Sequence, residues 1–343
     1  MQNKIRVSVV VCTFNGEKTI VQTLESLAKQ SYPKNNYEII VVDDGSTDNT
    51  RKLVTALPVK LIIHGVNKGI SSARNSGLDL ARGEIVAYID DDCVARSDWL
   101  SKLIEPYKSK EIMAVGGIVN SSSHRTLTQD YLTCMRYGNP AELKYDNSRS
   151  LAYRFLIYFF SMYSNNSETN RSYEVREIYT ANASFRTGFI KKVGGFNKEL
   201  RTSEDSMLCT RLSSVYTNKK IICNPMAIVT TTYTNSLVVL VQKTYFRSED
   251  VFKKYLLEKK IPPIFPFPLA IITITTIVAY FSLPLAFLTI TLLPPIFYSW
   301  WVVRSLTNKH LKYMLFSYIQ FFIEAVSLVG FITAFSKLKF KHE

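Results

Sequence analysis

The chain has 343 residues, 47% of them apolar and 20% charged; this length allows about two globular units, and the hydrophobicity excludes a disordered chain. Lys and Arg number 42 against 28 Asp and Glu, a formal net charge of +14. The five cysteines, Cys12, Cys93, Cys134, Cys209 and Cys223, have no C-x-x-C spacing and an odd total, which excludes a disulfide framework and a zinc cluster and fits a reducing compartment.

The start, MQNKIRVSVVVCTFN, carries a short apolar run and no small-residue cleavage site, so neither a signal peptide nor a span is expected there. Up to about residue 120, β-branched runs alternate with helical stretches, the pattern of βαβ units around a largely parallel sheet. Strands are expected at Val7–Cys12, Tyr37–Val42, Lys60–His64 and Ile85–Ile89, and helices within Glu17–Gln30, Asp48–Ala56 and Ile70–Arg82. Ligands in such domains collect at the carboxyl ends of the strands. Those ends read Thr13-Phe14-Asn15-Gly16-Glu17, Asp43-Asp44-Gly45-Ser46 and Asp90-Asp91-Asp92.

Beyond residue 120 the pattern weakens. Leu151–Tyr163 is an aromatic island of 13 residues, too short to span a bilayer. It fits a membrane contact and packing inside the domain equally. A polar stretch, Asn165–Ser172, precedes a patterned block from Tyr179 to Asp205, with a helix expected to begin near Glu204. Val241–Pro263 holds six basic residues against three acidic ones, a juxtamembrane collar. Ile264–Val303 then contains no charge, and Tyr313–Phe335 has only Glu324. Both exceed the ~18–20 apolar residues that cross a bilayer. The preferred reading of the first is two spans turning at Ser282-Leu283-Pro284; the other is one span and a re-entrant piece broken at Pro294-Pro295. Cationic flanks then place the collar and the Arg304–Lys312 loop in the cytoplasm, while a third span would export Lys337, Lys339 and Lys341, against the same rule. The expected organisation is a catalytic domain over 1–240, a basic segment over 241–263 and a membrane domain over 264–343, in an integral membrane protein with a cytoplasmic catalytic face. Twelve of the 42 basic residues follow position 240, beside the apolar stretches, a placement that suits anionic lipids better than nucleic acid.

Asp90 and Asp92, two apart on an extended backbone, project the same way and can share a hard cation such as Mg²⁺ or Mn²⁺. A solvated acidic turn, with Ser97 or Asp98 capping a helix at Trp99, fits the same residues. Asp43 at a strand end suits the N–H of a nucleotide base, whereas Asp48 reads as a helix cap.

The blocks VVVCTFNGEKTI, VVDDGSTDNT, NKGISSARNSGLDLARGEIVAYIDDD and GGFNKELRTSED, in this order across roughly residues 6–210, resemble a family 2 glycosyltransferase of the GT-A fold. The resemblance implies an open, mostly parallel α/β sheet with helices on both faces, followed here by C-terminal transmembrane helices. It implies a nucleotide-diphosphosugar donor and a divalent metal, Mn²⁺ or Mg²⁺, bridging the donor's phosphates. By motif position, Thr13, Phe14 and Glu17 line the nucleotide pocket, Asp43 faces the base with Asp44 beside it, Asp91 meets the ribose, and Asp90 and Asp92 hold the metal. Arg74 and Asn75 occupy the family's A-R-N element. Arg74 reads as a phosphate contact or a surface cation, and Asn75 as a partner within its own helix.

The Glu204-Asp205 pair matches the catalytic base of an inverting displacement, with Asp205 the preferred base; two acids favoured by a helix dipole are the alternative. An acidic pair is needed for a hydroxyl acceptor and not for an already ionised lipid phosphate, which favours a lipid-linked glycan or another membrane-associated acceptor over polyprenyl phosphate. Tyr179–Arg186 resembles the acceptor-flanking block, with Asn182 as the contact, or is a plain strand. The Q-x-x-R-W of processive synthases is absent; Gln242 to Arg247 is the nearest run, and Arg247 reads as a diphosphate contact or as part of the collar. The competing functions are a non-catalytic nucleotide-binding scaffold of a glycan-assembly complex and a nucleotide-binding oxidoreductase, the latter without its G-x-G-x-x-G after the first strand.

Overall fold

A computed structural model describes residues 6–122, 125–135, 140, 171–259 and 266–339. The Leu151–Tyr163 island lies outside the described residues. The chain divides into two compact units, Met1–Ser123 with Arg136–Tyr233, and His124–Met135 with Thr234–Glu343.

The first unit opens with β1 (Val7–Thr13), α1 (Ile20–Ala28), β2 (Tyr37–Asp43), α2 (Thr50–Thr55), β3 (Lys60–Ile63), α3 (Ile70–Leu80), β4 (Ile85–Asp90), β5 (Val94–Ala95), α4 (Trp99–Ile104) and β6 (Ile112–Ser121). The next helix, α5 (Leu127–Cys134), belongs to the second unit. The first unit resumes with β7 (Tyr173–Glu174), β8 (Asn182–Arg186), α6 (Thr187–Lys192), α7 (Glu204–Val215) and β9 (Lys220–Thr231).

The nine described strands form one sheet in the order β3-β2-β1-β4-β8-β6-β9-β5, with β7 on β9. β1 to β4 pair in parallel, β6 and β9 run the same way, and β8 is antiparallel between β4 and β6. The α/β sheet is therefore mixed: β1 to β4 are parallel as expected, and β5 and β7 also run antiparallel, to β9. Val7, Val9, Val10 and Val11 have no exposed surface, as a strand covered on both faces requires. Small residues let α3 close on this sheet. A Cβ on Gly77 would lie 2.4 Å from a methyl of Val10, so only glycine permits the approach. The register then aligns the functional ends: Thr13 pairs with Asp43, Cys12 with Asp90, and Ile89 with Asn182.

The second unit contains α5, α8 (Leu237–Leu257), α9 (Pro266–Phe281), α10 (Leu283–Phe297), α11 (Ser299–Asn308) and α12 (Lys312–Lys339). The expected turn at Ser282 is present, with its hydroxyl accepting from Leu285 N at 3.5 Å. Pro294 and Pro295 lie inside α10, and α10 and α11 meet at a 66° bend. Among the described residues only Lys312–Lys337 is a single helix long and apolar enough to cross a membrane. The uncharged stretch thus holds two short helices and a bend.

Candidate active site

The site is built from the carboxyl ends of β1, β2 and β4 and from the start of α7. Asp91 is drawn toward β1 by Thr13, whose Oγ1 donates to Asp91 Oδ2 at 2.5 Å, and its carbonyl accepts from Thr23 Oγ1 of α1 at 2.8 Å. A Cβ on Gly16 would fall 2.4 Å from both Thr13 Oγ1 and Asp91 Oδ2, so this turn passes the acid only as glycine. Next to it the Phe14 ring stands 48% exposed, an apolar face at the strand ends.

The three acids after β4 repel one another. Burial pushes the Asp91 carboxyl up to about 6, against the Thr13 hydrogen bond and with help from Asp92 and Asp90. Asp90 is also raised, first by its enclosure and then by Asp92 and Asp205, with Arg74 opposing. Its side chain nevertheless keeps 41% of its surface open. Enclosed on one side and open on the other, it forms the wall of a cleft. Asp92 is exposed. Crowded hard oxygens with one open side fit a divalent cation that completes its shell from phosphates and water. Among the described residues, no group of three or more His, Cys, Asp and Glu is arranged to hold a metal ion by itself.

Arg74 connects these acids to α7. Its Nη1 donates to Glu204 Oε1 and its Nη2 to Asp90 Oδ1 at 3.4 Å, with the guanidinium 5.6 Å from the Phe196 ring centre. Burial opposes the Arg74 charge, but Glu204 and Asp90 outweigh it and hold the guanidinium above its ordinary range. Arg74 is buried, not a surface cation. Burial likewise pushes the Glu204 carboxyl up, Arg74 pulls it down and Asp205 adds to the rise.

Glu204 is thereby committed to Arg74, and its neighbour is the more open acid. Asp205 is half-buried, accepting from Thr180 N at 3.3 Å and Ser206 N at 2.7 Å. Ser203, just before the pair, takes a left-handed φ of 64°, unusual for a residue with a Cβ, and this sharp entry sets the first turn of α7.

Other expected contacts have different roles in the structure. Asp44 is saturated: Oδ1 pairs with His64 Nδ1 at 2.6 Å and accepts from Lys68 N at 3.0 Å, and Oδ2 accepts from Gly69 N at 2.9 Å. It is buried and shapes the entry to α3. Asp43 is fully enclosed, accepting from Ser46 N at 2.9 Å and Arg51 Nε at 3.2 Å, and so holds the turn after β2. Glu17 Oε2 accepts from Asn49 N and Nδ2, both at 3.1 Å, tying β1's loop to α2. Asn182 is buried at the start of β8. Its Nδ2 donates to the carbonyls of Ile118 and Ala227, each at 2.9 Å, and its Oδ1 accepts from Trp99 Nε1 at 2.8 Å, which leaves nothing for an acceptor. The plain strand is the reading that fits. Arg247 lies on α8 in the second unit.

Asn75 also departs from expectation. It reaches out of its helix, with Nδ2 donating to Phe196 O at 2.9 Å and Oδ1 accepting from Phe196 N at 2.8 Å. Gly195, at φ 68°, makes room for this clamp, since a Cβ there would meet Asn75 Oδ1 at 2.4 Å. Asp98 pairs with Arg96 at 2.5 Å and makes no side-chain capping bond; Asp48 stands one residue before Asn49, the N-cap of α2, and accepts from Thr50 N at 3.0 Å. Thr180 and Glu177 were not singled out in the sequence; Glu177 accepts from the Ser206 hydroxyl beside Asp205. Nothing in local spacing marks either, because the contacts cross 25 and 29 residues.

Residues 8–169 match the family model described as Glycosyl transferase family 2. This stretch, just under half of the chain, is similar to a family 2 glycosyltransferase domain. The chain is 31% identical over 118 residues to Glycosyltransferase AglE of Haloferax volcanii, covering 33% of this chain and 39% of the relative. It is 28% identical over 200 residues to the Glucosyl-dolichyl phosphate glucuronosyltransferase of the same organism, covering 56% of each. The chain therefore spans about two fifths to just over half the length of these curated relatives. In fold it resembles the mannosyltransferase PcManGT from Pyrobaculum calidifontis, solved with GDP-Man and Mn²⁺, at a TM-score of 0.58 and 17% identity, covering 95% of this chain and 86% of that one. The family match ends before Glu204 and Asp205; Arg74, inside the matched stretch, ties Glu204 to Asp90.

Proposed function

We propose that the protein is a membrane-attached, metal-dependent glycosyltransferase that moves a sugar from a nucleotide-diphosphosugar to a hydroxyl of a lipid-linked glycan, with inversion. The observation that carries the reading is the Arg74 bridge. It joins Asp90 at the end of β4 to Glu204 at the start of α7 and so gathers the two acidic motifs into one cluster.

In this reading Phe14 offers a face for the nucleotide base, and Thr13 orients Asp91 toward the ribose. Asp90 and Asp92 would hold a divalent cation, which when bound offsets charge on the departing nucleoside diphosphate. Arg74 keeps Asp90 and the base helix at a fixed separation. Asp205, steered by the N–H groups of Thr180 and Ser206, accepts the proton of the attacking hydroxyl. Two acids at the head of α7 support a hydroxyl acceptor over a lipid phosphate, and a glucosyl-dolichyl phosphate is in the name of one relative. The uncharged stretch and basic collar support attachment to the membrane, with the catalytic face in the cytoplasm.

The test is a panel of UDP- and GDP-sugars with Mn²⁺ or Mg²⁺, scored for donor hydrolysis and then for transfer to membrane lipids. The expected result is hydrolysis of one donor that chelation abolishes and lipid extract converts into transfer. Metal-independent turnover would remove the cation from the mechanism, and no turnover of any donor would favour a non-catalytic scaffold.

A further inference from the structure

The helical unit contains an apparent contradiction. α12 is the one described single helix both long and apolar enough to cross a bilayer, yet both its ends are held by charged partners. At its start, Lys312 Nζ donates to Asp130 Oδ2 of α5 at 2.7 Å. Near its end, Lys337 Nζ donates to Glu249 Oε1 of α8 at 2.6 Å. Close packing reinforces the second contact: a Cβ on Gly330 would lie 2.8 Å from the Tyr245 carbonyl, and Phe252 meets Phe331 and Phe335 at 5.6 and 6.3 Å between ring centres.

The side of the membrane on which Asp130 and Glu249 lie decides the topology. Between them the sequence offers no segment that crosses. The Leu151–Tyr163 island has 13 residues, and a span needs about 20. From Lys243 to Lys259, α8 and the residues after it carry Arg247, Glu249, Asp250, Lys253, Lys254 and Glu258 as well, a charge density that belongs at the headgroups and not in hydrocarbon. Asp130 and Glu249 therefore face the same side, and a helix tied to both cannot cross.

What α12 presents to lipid agrees with this. Leu315, Phe322, Val329 and Ile332 are exposed, and their spacing of seven and three puts them on one stripe along the helix. The opposite stripe is buried and mixed: Phe316, Phe331 and Ala334 lie there beside Gln320, whose Oε1 accepts from Trp301 Nε1 at 2.6 Å, and Glu324, whose Oε2 accepts from Tyr298 OH at 2.9 Å. The polar groups of α12 are thus met inside the unit, and its exposed stripe is apolar.

The α9–α10 hairpin is also short for crossing. Its helices have 16 and 15 residues, about 24 and 22 Å at the α-helical rise, against a hydrocarbon core of about 30 Å. Its apex is apolar, with Tyr280, Phe281 and Leu283 exposed at 85%, 79% and 75%. A turn that emerged into water would be expected to carry polar residues on both sides of Ser282.

We propose that the helical unit is a monotopic membrane module seated in a single phospholipid leaflet with anionic headgroups. α12 lies along that leaflet on its apolar stripe, the α9–α10 hairpin dips in and returns, and both ends of α12 stay on the catalytic side. The proposal rests on the membrane attachment argued above and removes the charge conflict of a third span, since Lys337, Lys339 and Lys341 are no longer exported.

The test uses the full chain in a bacterial host, with a membrane-impermeant maleimide applied to intact spheroplasts, lysed spheroplasts and detergent extracts. Asn308→Cys and His342→Cys flank α12, Phe281→Cys marks the hairpin apex, and the unaltered chain corrects for its own five cysteines. Both flanking cysteines are expected to label only after lysis, and Phe281→Cys only in detergent. Labelling of His342→Cys in intact spheroplasts would show that α12 crosses, and labelling of Phe281→Cys there would show that the hairpin does; either overturns the proposal. Recovery of the protein in the supernatant after a high-salt wash would instead overturn membrane attachment itself.

Discussion

Two strand ends of the same sheet carry consecutive aspartates, and they behave oppositely. After β2, Asp43 and Asp44 are buried and every carboxylate oxygen is met by a backbone N–H, an arginine or a histidine. At the end of β4, Asp90, Asp91 and Asp92 sit beside one another, with Arg74, Thr13 and the Cys93 thiol among their side-chain partners, and Asp90 and Asp91 are raised above the ordinary carboxylate range. Satisfied acids shape a scaffold, whereas crowded and partly open acids await a counter-charge. Residue type and strand position are the same at both ends; the partners make the difference.

Substitution at each end gives opposite signatures. Asp92→Ala is expected to cut sugar transfer by about 100-fold or more, because charge stabilisation on the leaving diphosphate is worth several kcal/mol. Its melting temperature should hold or rise, since one like charge has gone; calorimetry beside a transfer assay reads both, and a large loss of stability would erase the distinction. At the β2 end, Asp44→Asn is expected to cost about 1–3 kcal/mol of folding stability by weakening the hydrogen bonds from His64, Lys68 and Gly69. Urea unfolding measures that cost, and an unchanged midpoint would mean that the α3 entry does not depend on this carboxylate.

Asn75→Ala leaves both polar backbone groups of Phe196 without their clamp, for a comparable or smaller loss of about 1–2 kcal/mol in the same measurement. Gly195→Ala adds strain at φ 68° and should also destabilise.

The smallest effect is at the far end of the strands. Glu38 resists burial through hydrogen bonds from Lys60, Ser8 and Arg82 N, and its carboxyl is held below its ordinary value. A depressed folded-state pKa gives stability that is present above the ordinary carboxylate pKa and lost as pH falls through the folded value. Glu38→Gln should therefore flatten the acid limb of the melting-temperature profile, and an unchanged slope below pH 5 would contradict the pairing.

The sequence made the strand ends legible because parallel strands buried on both faces are continuous apolar runs, and ligand-binding residues must follow them. The acids at 90 to 92 were singled out for that reason, whereas Glu204 and Asp205, which open a helix, were singled out by the family resemblance. The Asn75–Phe196 clamp joins residues 121 apart, so helix spacing suggested a local partner instead. Asn182 has the chemistry of a sugar contact, and only the positions of Trp99, Ile118 and Ala227 reveal that it is already used. In the apolar stretch, composition gives an affinity for lipid but no topology, because the turn at Ser282, the bend after Pro295 and the ion pairs at both ends of α12 are properties of packing.

The central claim is that the acids after β4 and at the start of α7 serve one reaction with different duties. The direct test is Asp205→Asn, measured for metal-dependent donor binding by calorimetry and for transfer under saturating donor. Unchanged binding with a transfer rate reduced by about 10²–10⁴-fold is predicted for a lost general base. Wild-type transfer by Asp205→Asn would contradict it.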